Sequence, residues 1–293
     1  MSLGRGRRLF RAALAWIVWF AAALPAAAAP SPFADWAAVV VAGDWHASSG
    51  RPSEAFDNAR RDVAAALRAA GFQPQNLREF SVRPKRYRPQ PGHSDIDAVY
   101  AALSELAGRT QGGCLAYISS HGHPDGVVVD DQLLAPSVLG AMLDEACGRR
   151  PTVVVISACF SGIFVPELAA PERMVLTAAR ADRTSFGCGE SDRYPYFDDC
   201  FLRAFPTAND FRQLGGEVQA CVARREKETG MAPPSEPQLS IGAALRPLLP
   251  LYLLPTRSKI SPGPDPAADP GPAQLEGLDL RPTVETSPIV EPR

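Results

Sequence analysis

The chain has 293 residues, 46% of them hydrophobic and 21% charged, with a formal net charge of −2. That length supplies one substantial core, and the near-neutral balance argues against nucleic acid as a partner. The densest basic cluster, Arg78, Arg83, Lys85, Arg86 and Arg88, sits among prolines and reads as a solvated loop.

At the N-terminus Arg5, Arg7, Arg8 and Arg11 precede the apolar stretch AALAWIVWFAAALPAAAA at 12–29. A basic end, an apolar segment and small residues before Ala28 and Ala29 predict a signal peptide over 1–29. An uncleaved membrane anchor is the competing reading, because the stretch approaches spanning length. Pro25 and the alanine run favour cleavage, and no cysteine ends the segment to accept a lipid. The expectation is export across the inner membrane to the periplasm, with membrane contact only if the segment is retained. Residues 30–254 then form one domain. Residues 255–293 are rich in proline and lack apolar periodicity, so they predict a disordered tail.

Within the domain, AAVVVAG at 37–43 predicts a buried strand. A helix follows with Phe56, Ala59, Val63, Leu67 and Ala70 on one face, Ser53 as its cap and Gly71 as its stop. A weak strand near 74–82 precedes a helix carrying Ile96, Val99, Leu103 and Leu106. GCLAYISS at 113–120 predicts the next strand and VVVD at 127–130 a small flap. A helix over 136–147 leads into the strand TVVVISA at 152–158, and MVLTAA at 174–179 forms another. Helices over Tyr196–Ala204 and Gly216–Lys227 and a last strand in PQLSIGAAL complete the order. Strands too apolar to face water, alternating with amphipathic helices, predict an α/β fold with helices on both faces of a mostly parallel sheet.

Two loops stand at the carboxyl ends of predicted strands, SSHGHPDG at 119–126 and SACFSG at 157–162. Ligands of such sheets bind at that edge. Cys159 is the candidate nucleophile there, and His121 the group that generates the thiolate and later protonates a leaving amine. Gly122 and Gly162 permit close backbone approach, and the amides of Gly122 and Cys159 are candidate oxyanion donors. A different chemistry is offered by the H-x-H-x-D spacing of His121, His123 and Asp125, the start of a zinc hydrolase site. The metallo-β-lactamase pattern has a further histidine where this chain has Gly126. G-x-S-x-G is absent, which leaves Ser161 without the setting of a serine nucleophile. The six cysteines lack zinc spacing, and export permits disulfides. Cys200 could pair with Cys188 or Cys221, and a free Cys159 implies a second free thiol unless that thiol pairs with another chain.

Taken in order, VVVAGDW, FDNARRDVAAALRAAGF, AYISSHGHPDG, VVVISACFSG, MVLTAARADRTSFGCG, YPYFDDCFLRAF and PQLSIGAAL resemble the bacterial members of the legumain-like branch of caspase-fold cysteine peptidases. The resemblance implies a caspase-like α/β/α sandwich and peptide-bond hydrolysis without cofactor. A non-catalytic binding or scaffold domain that keeps the caspase fold is the competing reading, motivated by the altered pocket segment and the long Pro-rich tail. The resemblance assigns His121 and Cys159 as the dyad, with oxyanion donation by Gly122 and Cys159. It also implies a peptide or protein substrate, whose side chain before the scissile bond sits between the turn after VVVISACFSG and MVLTAA. The chain departs from plant and animal legumains at Glu54–Asp57, where they carry Asn-Tyr-Arg-His, and at Ser157-Ala158-Cys159, where they carry Glu-Ala-Cys. Ser157, Asp44, Asp182, Asp192 and Ser185 are the candidates for substrate contact, the aspartates suiting a basic side chain. Should that preference hold, Arg180, Arg183 and Arg193 are candidate self-cleavage points.

Overall fold

The computed structural model describes residues 31–255; the expected leader and residues 256–293 of the tail lie outside them. The chain lays down β1 (Trp36–Ala42), α1 (Ala55–Ala69), β2 (Leu77–Ser81) and the short β3 (Gly92–His93). Next come α2 (Ile96–Arg109), β4 (Gly113–Ser119) and a flap of β5 (Gly122–His123), β6 (Gly126–Val129) and β7 (Gln132–Leu134). After α3 (Pro136–Cys147) follow β8 (Thr152–Ser157), α4 (Phe164–Leu168) and β9 (Arg173–Thr177). The described chain ends with α5 (Tyr196–Ala204), α6 (Phe211–Thr229) and β10 (Gln238–Ile241), followed by a single 3-10 turn.

Seven strands form the main sheet in the order β10-β9-β8-β4-β1-β2-β3. All pairs are parallel except β9 with β10. The order runs outward from β1 through β2, then restarts on its other side at β4, which makes the carboxyl edge between β1 and β4 the switch point where ligands bind.

Every residue of β1, β4, β8 and β9 is buried. Their alternating side chains feed two cores. Val40, Leu115, Tyr117, Val155 and Leu176 pack against α1, α5 and α6. Val39, Ala116, Ile118, Val154 and Val175 pack against α2, α3 and α4. Full burial of such side chains contributes roughly 1.5–3 kcal/mol each, which is why continuous β-branched runs become central strands.

Local signals explain most boundaries. Asp95 caps α2 by accepting from the amide of Ala98, an interaction worth about 1 kcal/mol. Ser53 precedes α1 and its hydroxyl accepts from the Ala55 amide, while Glu54 is the cap position and makes no side-chain cap bond. The weak segment at 74–82 forms β2, with Leu77 and Phe80 buried. α6 begins before Gly216, capped by Asp210. Gly215 lies inside that helix because a Cβ there would stand 3.0 Å from Leu239 of β10; close packing, not helix termination, requires the glycine.

Two disulfides join Cys114 to Cys147 and Cys200 to Cys221, leaving Cys159 and Cys188 free. The first ties the start of β4 to the end of α3, and the second ties α5 to α6. Among the described residues no helix is long and apolar enough to cross a membrane.

Candidate active site

β4 and β8 are neighbours, with Ser119 opposite Ser157 at their last residues. The ladder continues one step, the Ser120 amide donating to the Ser157 carbonyl at 3.0 Å. His121 and Cys159 therefore leave adjacent strands at matching positions. A Cβ on Gly122 would stand 1.9 Å from the Cys159 carbonyl oxygen, so only glycine lets these two turns touch. Phe160 adopts a left-handed conformation with φ of 58°, and its amide donates to the Arg183 carbonyl at 2.7 Å. That conformation is unfavourable for a bulky side chain, and here it turns the chain sharply just after Cys159.

His121 is oriented from two sides. Its Nε2 lies 3.1 Å from the carbonyl oxygen of His46. A carbonyl only accepts, so Nε2 carries the hydrogen and Nδ1 is left for proton exchange. Phe56 meets the ring edge-on, with centroids 5.0 Å apart. The His46 carbonyl is itself fixed, because the Asp44 carboxylate accepts from the Trp45 amide at 2.5 Å, the His46 amide at 2.9 Å and the His46 Nδ1 at 2.7 Å. Asp44 is thus engaged by its own loop. A backbone carbonyl leaves no trace in residue identity, so the role of His46 was not readable from sequence.

The Cys159 sulfur receives the Ser185 amide at 3.2 Å and lies 3.6 Å from the Ser185 hydroxyl. Among the described residues the Cys159 amide has no hydrogen-bond acceptor, which leaves it available to a substrate oxygen. Cys188 lies in the same strap as Ser185, and its carbonyl accepts from the Ser48 amide. Burial, followed by the proximity of Cys159, pushes the Cys188 thiol up.

The other candidates separate. Ser157 is buried and donates to Asp198 at 2.6 Å. Asp182 is exposed and paired with Arg180 and Arg183; the Arg180 hydrogen bond chiefly holds its carboxyl at about 2. Asp192 accepts from the Gly189 amide within the strap. His123 pairs with Asp125 at 3.2 Å on the exposed flap, apart from the His121–His46 contact. Among the described residues no group of His, Cys, Asp and Glu could hold a metal ion.

Asp198, on the first turn of α5, was not singled out by sequence. It is fully buried and accepts from Tyr117 at 2.5 Å, Ser119 at 3.0 Å and Ser157 at 2.6 Å. Burial pushes its carboxyl up to about 6, against the opposing effect of these hydroxyls.

Residues 97–220, which include both His121 and Cys159, match the Peptidase C13 family. This segment is homologous to the legumain-family cysteine peptidases. Among solved structures, the chain is similar to caspase-1 from Spodoptera frugiperda, with a TM-score of 0.52 and 13% identity over 72% of this chain and 88% of that one. The likeness establishes a caspase-like α/β/α sandwich with a largely parallel central sheet. No curated protein matches the chain. The Peptidase C13 segment runs from α2 into α6, whereas β1 and the Asp44–His46 loop that orients His121 precede it.

Proposed function

We propose that the protein is an exported, legumain-type cysteine endopeptidase that hydrolyses peptide bonds through Cys159 and His121. The observation that carries this reading is the contact between the His121–Gly122 and Cys159 turns at the carboxyl ends of the adjacent strands β4 and β8. The homology of residues 97–220 to cysteine peptidases supports it.

In the proposed reaction the Cys159 sulfur attacks the scissile carbonyl carbon, and the Cys159 and Gly122 amides stabilise the oxyanion. His121, oriented by the His46 carbonyl, takes the thiol proton and delivers it to the departing amine. Water, deprotonated by the same imidazole, then attacks the acyl-cysteine and releases the acid. The free thiol is regenerated. Ser185 and the strap around it border the place where substrate approaches Cys159. Export is supported by the two disulfides, which persist in oxidising compartments.

Incubation of the protein with a peptide library, beside Cys159→Ala, tests the reading. Cleavage by the wild type alone is the expected result. Equal cleavage by both proteins would reject Cys159 as the nucleophile. Locating the protein by cell fractionation tests export, with the periplasmic fraction expected and the cytoplasm contradicting it. Sequencing the N-terminus tests cleavage, with a start near Pro30 expected and retention of residues 1–29 on the membrane favouring the anchor reading.

A further inference from the structure

Asp198 differs from a routine buried carboxylate in what surrounds it. Its partners among the described residues are three hydroxyls and no cation. Burying a carboxylate without a countercharge is unfavourable, and an apolar side chain in such a place is often neutral or stabilising. Core stability alone therefore does not account for it.

Its position does. Ser119 and Ser157 are the final residues of β4 and β8 and stand opposite each other in register. One oxygen, Oδ2, accepts from both hydroxyls. The other, Oδ1, accepts from Tyr117, one step back on the same face of β4. His121 and Cys159 follow Ser119 and Ser157 at equal offset. The carboxylate thus bridges the two strands immediately beneath the turns that carry the dyad. Among the described residues Asp198 hydrogen-bonds to neither dyad residue; the His121 ring bonds to the His46 carbonyl and the Cys159 sulfur to the Ser185 amide. The Cys200–Cys221 disulfide anchors the helix that presents it.

We propose that Asp198 is the positioning residue of the dyad, clamping the ends of β4 and β8 through Ser119 and Ser157 and thereby setting how imidazole and thiol meet. The proposal rests on the peptidase reading above. A sulfur and imidazole displaced by even about 1 Å lose roughly a hundredfold in rate, so a bridge at this point acts on turnover more than on substrate affinity.

The test uses the mature protein and its His121→Ala, Asp198→Asn and Ser157→Ala variants. Two assays are run: kcat and KM are measured on a cleaved peptide, and the rate at which iodoacetamide alkylates Cys159 at pH 6.5 is followed by peptide mass analysis so that Cys188 is scored separately. His121→Ala slows alkylation about tenfold, because the thiolate loses its partner. Asp198→Asn and Ser157→Ala each slow it severalfold and lower kcat about ten- to a hundredfold, with KM within about threefold. A merely structural carboxylate would not move the alkylation rate of a folded variant. Should Asp198→Asn fail to fold, Ser157→Ala removes one arm of the bridge and decides the matter. Wild-type alkylation and turnover in both variants would overturn the positioning role while leaving the dyad intact. An unchanged alkylation rate in His121→Ala would instead overturn the dyad, and the positioning role with it.

Discussion

Two buried aspartates on the same face of the sheet do opposite things with the same geometry. Asp57, on the first turn of α1, accepts from Ser81 at the end of β2. Asp198, on the first turn of α5, accepts from Ser119 and Ser157 at the ends of β4 and β8. Both use a helix start, where the dipole favours negative charge, to hold a strand-terminal hydroxyl. Asp57 is also paired with the buried Arg60 at 2.9 Å, and Arg60 reaches on to Glu79 and lies over the Tyr87 ring. Asp198 has no such partner. Away from the candidate site the charge is neutralised and the cluster locks α1 to β2; under the proposed dyad the carboxylate has no cationic partner, a stability cost consistent with a role in the site.

The contrast breaks most visibly at Asp57. Asp57→Ala removes one partner of a buried ion pair and should cost about 4 kcal/mol, read as a lower urea midpoint with unchanged slope. Removing the Cys200–Cys221 bond by Cys200→Ser with Cys221→Ser frees α5 and should cost about 3 kcal/mol. The same double variant should also lower turnover, because α5 carries Asp198; retention of full kcat in the folded fraction would separate the helix from the site.

Asp198→Asn should act in the opposite sense to Asp57→Ala. The folded carboxyl is pushed up to about 6 from an ordinary 3.8, so the folded state holds its proton more firmly than the unfolded state. Its contribution is favourable below about pH 4 and is lost as pH rises through about 6. At pH 7.5 the amide variant should gain ~2 to 3 kcal/mol, two units corresponding to that range, and its stability should not share the wild-type decline between pH 4 and 7. Parallel melts across that window check this, and a destabilised, folded Asn variant at pH 7.5 would contradict it. The smallest effect belongs to His123→Ala on the exposed flap, within about 0.5 kcal/mol in stability and without loss of cleavage. A loss of activity there, restored by zinc, would revive the metal reading.

The strands that lead to His121 and Cys159 were legible because AYISS and VVVIS are continuous buried runs followed by turns. Register put His121 and Cys159 side by side, and the sequence order of the runs implied it. The start of α6 was not legible: the sequence reading began the helix at Gly216, whereas it starts at Phe211 and runs through Gly215, whose lack of a side chain is required by Leu239 of β10. Asp198 and Asp199 are adjacent acids at a helix start, where acids are ordinary. Only the helical phase distinguishes them: Asp198 lies three residues before the buried Phe201, while Asp199 turns out to Arg203 and Arg225. The same limit applied to Asp44, whose carboxylate is consumed by backbone amides that no residue pattern announces.

The proposed dyad is tested most directly by titrating the protein with a peptide carrying a thiol-directed electrophile and locating the adduct by mass analysis in wild type and His121→Ala. One equivalent on Cys159 in the wild type, formed at least about tenfold more slowly without His121, is the predicted result. Labelling of Cys188 in place of Cys159, or equal rates in the two proteins, would contradict the account.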